Sequence, residues 1–339
     1  MNETVADVGE FGLIDRLAAL IQREGIRLSE KTLGIGDDCA VFRPKPGHEI
    51  LVTCDCMVEG RHYLPQYTTS FDLGRRAMAL NISDIGAMGG APLYAVVSLG
   101  LRGDTAVTEL ESMYRGFLAE TNPLRAAIVG GNITKSEVTF IDITLIGEVA
   151  EGHTMRRSVA NIGDVILVTG YPGQAAAGLQ LLLSAEDARN LREDPLVQAY
   201  NRPKHRAREG QVIAQAGGAS AMIDTSDGLL GDLGHICEGS KVGALLYRER
   251  LPVSADLRTV ASQMGKDPYE FVLGESDDYE LIITCPQDHV NQVRATIGTI
   301  SDIPVAEVGS IVAAARGIQL IFPDGTGKHV SAAGWDHFG

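Results

Sequence analysis

Hydrophobic and polar positions follow two different periods along this chain. Residues 11 to 24, Asp72 to Met88 and Glu109 to Glu120 carry helical spacing, whereas Ile50 to Cys56 and Tyr94 to Leu101 read as strands. Ala126 to Val129 and Val138 to Val149 read as further apolar strands on either side of GGNITKSE. Polar residues around Glu151 to Gly163 mark a boundary, after which the pattern changes. DVILVTG followed by YPGQAAAGLQLLL reads as strand, glycine-rich turn and helix; AMIDTSDGLLGDLGHICEGS repeats that order, and YELIITCP adds a strand. The expected organisation is two domains, residues 1–152 mixing strands and helices in an α+β manner and residues 153–339 of α/β type. Glycines 170, 173 and 178 suit a tight turn between strand and helix.

Composition narrows the function. A chain of 339 residues exceeds one small core, and 45% hydrophobic with 22% charged residues describes a globular protein. The net charge of −15, with no long Lys/Arg run, argues against nucleic acid and acidic membrane surfaces as partners. The stretch MNETVADVGEFG lacks the basic and apolar parts of a secretory signal, and the most apolar region, Met78 to Leu101, is interrupted by Asn81, Ser83, Asp84 and several glycines. A cytoplasmic location is expected. Five cysteines, Cys39, Cys54, Cys56, Cys237 and Cys285, form no CxxC pair and suggest neither a disulfide framework nor a zinc site.

The candidate chemistry lies in carboxylates at four places. In GIGDDCAVF, Asp37 and Asp38 follow turn glycines, as a solvated loop or a ligand site would. In EILVTCDCM, strand alternation places Leu51, Thr53 and Asp55 on one face and Ile50, Val52, Cys54 and Cys56 on the other. In DLGRRAMALNISDIGAM, Leu73, Ala77, Leu80, Asp84 and Ala87 share one helical face, so Asp84 falls on an apolar stripe. A carboxylate there needs a cation or a cleft, because burying it unpaired costs several kcal/mol or shifts its pKa. In AMIDTSDGLL, Ser226 or Asp227 fits a helix cap, but Asp224 does not.

Single aspartates from separate elements suit Mg²⁺, which takes a few carboxylates each time and shares the rest of its shell with water and phosphate. No Walker A sequence occurs, since the GK pairs at Gly265 and Gly327 are followed by Asp and His, and the HRD and DFG elements of protein kinases are missing. The Asp-x-x-Asp-Gly spacing also fails the EF-hand template.

Taken in order, GEFGLIDRL, LGIGDDCAV, TCDCMVEGRHY, NISDIGAMGG, IVGGNITKS, RRSVANIGDVILVTGYPGQAAAGL, IDTSDGLLGDLGHI, DDYELIIT and GWDHF span nearly the whole chain. This set resembles the thiamine-monophosphate kinases, in the superfamily that includes aminoimidazole ribonucleotide synthetase. The resemblance implies an N-terminal domain that binds ATP and Mg²⁺ and pairs with its twin in a homodimer. It implies a C-terminal α/β domain as well, with ATP, Mg²⁺ and thiamine monophosphate meeting in the cleft between domains. It implies metal ligands at Asp38, Thr53, Cys54, Asp55, Asp84, Asn132, Asp224 and Asp227. ATP would be held by Gly131, Asn132, Arg157, Ser226 and Tyr114. His62, Asp277 and Trp335 would face the thiamine substrate.

Three positions depart from the family's usual pattern. Asn132 stands where GGD is common, Cys54 where Thr is common, and Asp277 where Glu usually precedes DYEL. The implied reaction is Mg²⁺-assisted, in-line phosphoryl transfer from ATP to thiamine monophosphate, with no residue assigned as general base. A phosphate acceptor whose second pKa is about 6 is already mostly anionic near neutrality. The alternatives are another ATP-dependent member of the superfamily, or a weakened thiamine-phosphate or nucleotide sensor, the latter motivated by Asn132.

Overall fold

The computed structural model describes residues 3–29, 32–36 and 39–331. It divides into two compact units, Met1–Ile85 with Gly90–Glu151, and Gly86–Gly89 with Gly152–Gly339. Asp37, Asp38 and Trp335 lie outside the described residues.

The first unit is built on a four-stranded sheet. Its strands are β1 (His48–Val58), β2 (Ala91–Leu101), β3 (Ala127–Lys135) and β4 (Phe140–Ala150), in the spatial order β1-β4-β2-β3. Helices α1 (Val5–Glu24), α2 (Ser70–Ala87) and α3 (Val107–Thr121) complete the unit. Strand alternation decides what is buried. Ile141, Ile143 and Leu145 of β4 are fully enclosed, while Asp142, Thr144 and Ile146 between them remain partly open. The facing positions on β1 continue that open face, with Val52 opposite Ile146 and Cys54 opposite Thr144.

The pattern reading stops the third strand at Val129, but β3 runs on through Gly130-Gly131-Asn132 to Lys135. Tertiary pairing overrides the poor strand propensity of these residues, because they lie in parallel register with β2, Val97 against Gly131 and Ser98 against Asn132. A side chain at Gly131 would place its Cβ 2.1 Å from the Val97 carbonyl oxygen, so only glycine permits this approach.

The second unit holds a seven-stranded sheet of β5 (Val165–Thr169), β6 (Ala221–Asp224), β7 (Val242–Tyr247), β8 (Leu281–Cys285), β9 (Val305–Ala313), β10 (Ile318–Ile321) and β11 (Gly327–His329). Its order is β11-β10-β7-β9-β5-β8-β6. The helices are α4 (Gln174–Ser184), α5 (Pro195–Asn201), α6 (Ala207–Ala216), α7 (Leu229–Ser240), α8 (Ala255–Gln263), α9 (Pro268–Leu273) and α10 (Val290–Gly298). Ile166, Val168, Ile223 and Ile282 pack with Leu229, Leu233 and Leu257 on one face, and Val165, Leu167, Met222 and Ile283 pack with Ile213, Val293 and Ile297 on the other. Both faces are therefore covered, which is why DVILVTG and YELIITCP read as continuous apolar runs. The strand-helix order does not here produce a parallel sheet, since among the described pairings of this sheet only β7 with β10 is parallel.

Candidate functional site

In the first unit the carboxylates gather where β1 meets α2. Thr53 points inward from β1, and its hydroxyl donates to Asp84 Oδ2. The Asp55 main-chain N–H donates to Asn81 Oδ1 at 3.2 Å, and Asn81, fully buried, anchors itself by donating to the Ala77 carbonyl at 3.2 Å. Helix α2 is enclosed along most of its length; Leu73, Ala77 and Ala87 are buried, while Leu80 and Asp84 are half-buried. Asp84 thus stands at the partly open portion of the apolar face on which its spacing puts it.

The side chain of Cys54 does not join this group. Alternation turns its side chain to the opposite face, where its thiol donates to Asp142 Oδ1 at 3.0 Å and accepts from the Thr144 hydroxyl at 3.6 Å. The hydrogen bond to Asp142 raises the thiol's pKa above its ordinary value, and burial adds to the effect. Only the main chain of Cys54 remains for a ligand role. His62 follows β1 and folds back on it, its Nδ1 accepting from the Val58 N–H at 2.9 Å.

Gly131, Asn132 and Tyr114 line one cavity of about 80 Å³, together with Leu17 of α1 and Ile128. Tyr114 is buried, its ring edge-on to Phe117 at 5.0 Å, and burial pushes its phenol pKa upward.

In the second unit two loops meet where β6 ends and β8 begins. Asp224, 5% exposed, closes β6 opposite Leu281. Thr225 donates its N–H to the Glu280 carbonyl at 2.8 Å and accepts the Glu280 N–H on its hydroxyl at 3.0 Å. The DTSDG and DDYEL segments are therefore laced together by main-chain bonds. Between them Tyr279 adopts a φ of 55°, a left-handed conformation rare outside glycine. Asp277 and Ser226 are half-buried. Asp278 turns inward and caps α4, accepting from Gly173 N at 2.5 Å and Ala175 N at 2.8 Å, and burial pushes its pKa up to about 6. These two amides at the start of α4 are thus satisfied by the protein itself. The neighbouring Gly170, with φ +59°, leaves room for the Glu280 carboxylate, which a Cβ there would strike.

Asp227 has a close companion in Asp232. Ligand atoms of Asp227, Asp232 and His235 all lie within 4.8 Å of one another. Burial, reinforced by repulsion from Asp224, pushes the Asp232 pKa up to about 8. Arg157 is placed differently. Its side chain is exposed and its carbonyl accepts from the hydroxyl of Ser240, the last residue of α7, whereas Asp227 precedes that helix.

Polar residues of these clusters that carry no assignment from the motifs include Asn81, Asp142, Asp232, Asp278, Glu280 and Arg206, whose guanidinium pairs with the Glu280 carboxylate. Four of them had a signal in the chain, since Asn81 sits inside NISDIGAMGG, Asp232 inside IDTSDGLLGDLGHI, and Asp278 and Glu280 inside DDYELIIT. As for ligands, the inward residues Thr53, Asp55 and Asp84, like Asp224 and Asp227 in the second unit, offer oxygen only. Such a set fits a hard divalent cation and phosphate chemistry better than a soft metal.

The chain matches the AIR synthase related protein family through both of its parts, the N-terminal domain over residues 36–149 and the C-terminal domain over residues 161–319. It is 32% identical over 332 residues to the thiamine-monophosphate kinase of Aquifex aeolicus, covering 98% of this chain and 99% of that one. A crystal structure of the thiamine-monophosphate kinase of Stenotrophomonas maltophilia is similar with a TM-score of 0.80 and 31% identity, over 95% of this chain and 98% of the other. The structure of AaThiL complexed with AMPPCP and TMP is similar with a TM-score of 0.75 and 31% identity, over 98% of each chain.

Proposed function

The chain belongs to the thiamine-monophosphate kinase family, within the AIR synthase related proteins, and from that premise we propose how its own residues serve the reaction. The enzyme transfers a phosphoryl group from ATP to thiamine monophosphate, giving ADP and thiamine diphosphate. The observation that best supports the chemistry is the inner face of β1, where Thr53 and Asp84 meet as oxygen donors while the thiol of Cys54 faces away.

We assign Thr53, Asp55 and Asp84 in the first unit, and Asp224 and Asp227 in the second, to Mg²⁺, together with Asp38 and the amide oxygen of Asn132. When bound, Mg²⁺ neutralises the charge of the phosphates and so lets two polyanions approach. The acceptor phosphate is mostly ionised at neutral pH, so the protein needs no general base and its task is to position and desolvate. Gly131, which has no side chain, brings main-chain groups close to ATP, and Ser226, Arg157 and Tyr114 add contacts. His62 is assigned to the substrate side of the site. Asp277 and Trp335 complement the thiamine part by charge and by stacking.

We further propose a homodimer through the open face of the first unit's sheet. Val52 and Ile50 are 66% and 39% exposed there, and a second copy would remove them from water. Val52→Glu should yield monomers in sedimentation, whereas an unchanged mass would exclude this face. Among the described residues no helix is long and apolar enough to cross a membrane. A cytoplasmic location is the proposed one, supported by the use of ATP and by five free thiols.

A substrate panel tests the assignment. With ATP and Mg²⁺, thiamine monophosphate should be converted while thiamine and other phosphate acceptors are not. Turnover of a different acceptor with thiamine monophosphate inert would replace this reading by another ATP-dependent activity.

A further inference from the structure

We propose that Asp232 is a positioning residue for the transfer reaction, holding the main chain that carries Asp227. The inference rests on the assignment of Asp227 to the metal and concerns how that ligand is kept in place. Asp232 lies in the first turn of α7 and is 1% exposed. One of its oxygens, Oδ2, accepts two main-chain N–H groups, from Asp227 at 3.0 Å and from Gly228 at 3.1 Å. Both donors precede Leu229, the first residue of α7, so these bonds restrain the loop rather than the helix.

The loop has little freedom to find another path. Gly228 has a φ of +107°, and a Cβ there would lie 2.4 Å from the carbonyl oxygen of Gly274. On its other side Thr225 is bound through main chain and hydroxyl to Glu280. Asp227 is thus suspended between two fixed points, the Thr225–Glu280 pairing and the Asp232 carboxylate. Removing the second leaves Asp227 joined to a chain whose N–H groups have lost their acceptor. Partners that orient metal ligands in this way are worth about 10- to 100-fold in metal affinity or activity.

The test compares Asp232→Ala with Asp232→Asn, whose amide oxygen still accepts both N–H groups. Mn²⁺ affinity is read by electron paramagnetic resonance in the presence of a non-hydrolysable ATP analogue, beside kcat, KM and thermal unfolding. Asp232→Ala should weaken Mn²⁺ binding by roughly tenfold or more and lower kcat more than it raises KM, while Asp232→Asn stays near wild type. A drop in Tm for Asp232→Ala with unchanged Mn²⁺ affinity would reduce Asp232 to a helix-end contact. Equal loss in both variants would mean that its charge acts directly, and would overturn the positioning role. Should Asp232→Ala fail to fold, Asp232→Ser, too short to reach both amides, replaces it with the same expectation. Asp227→Asn is the independent control: unchanged Mn²⁺ affinity there removes the metal assignment itself, whatever the Asp232 variants do.

Discussion

Arg206 closes on Glu280 with two charge-assisted hydrogen bonds, Nε to Oε2 at 2.7 Å and Nη2 to Oε1 at 2.5 Å. Both side chains are nearly enclosed, 12% and 8% exposed, and Thr169 adds a third bond to Glu280 at 2.6 Å. Burial disfavours the guanidinium charge, but the attraction of Glu280 outweighs it and raises the Arg206 pKa. Glu280 is also the residue whose main chain pairs with Thr225.

Breaking one half of this pair leaves a buried charge alone. Arg206→Met should cost about 3–5 kcal/mol of unfolding free energy in urea titrations. The double variant Arg206→Met with Glu280→Gln should be clearly more stable than the single one, because no charge is then stranded. Equal stability of the two would show that Glu280 is solvated and that the pair does not anchor the loop.

Asp84→Asn should lose most turnover while keeping its melting temperature, since an amide still accepts from Thr53 but no longer neutralises a cation. The Mg²⁺ concentration for half-maximal rate should rise in parallel. Asn132→Asp should move that concentration the other way by restoring a charged oxygen. Wild-type turnover in Asp84→Asn would take Asp84 out of the reaction.

Strand alternation separates two adjacent residues. Thr53→Val should raise the Mg²⁺ requirement, whereas Cys54→Ala should leave it within about twofold, since its thiol bonds Asp142 on the other face. A comparable Mg²⁺ effect in both variants would show that the main chain of β1, rather than its inward side chains, sets the site.

Asp278 makes stability depend on pH in a definite direction. Its pKa is raised from 3.8 to about 6, so between those values the folded protein binds more protons than the unfolded one. The stability it contributes is present below pH 3.8, falls as pH rises and is lost above about 6. The effect is at most about 3 kcal/mol. In Asp278→Asn this decline should vanish from the difference between urea midpoints measured across that range; an unchanged slope would place the proton elsewhere.

The features legible in the sequence were those set by local spacing. Alternation along Ile50 to Cys56 separates Thr53 and Asp55 from Cys54, and helical spacing puts Asp84 with Leu73 and Ala77. The same alternation turns the Cys54 thiol away from Thr53 and Asp55, and in the structure that thiol bonds Asp142 instead. Partners far apart in the chain left no such trace. Glu280 is 74 residues from Arg206 and 111 from Thr169, and Asp278 caps a helix that begins about a hundred residues earlier. The extension of β3 through GGNITK was hidden because glycine and asparagine look like a turn until β2 supplies a partner. Antiparallel pairing in the second sheet was hidden for a related reason: covering both faces gives the same apolar runs whichever way the strands point.

The most direct measurement follows the phosphoryl group itself. Purified protein is given Mg²⁺, thiamine monophosphate and ATP radiolabelled in its γ-phosphate, and the products are separated. The expected result is label in the terminal phosphate of thiamine diphosphate, equal in amount to the ADP formed and abolished by chelating the metal. Label released only as inorganic phosphate, at a rate indifferent to thiamine monophosphate, would contradict direct transfer between the two substrates.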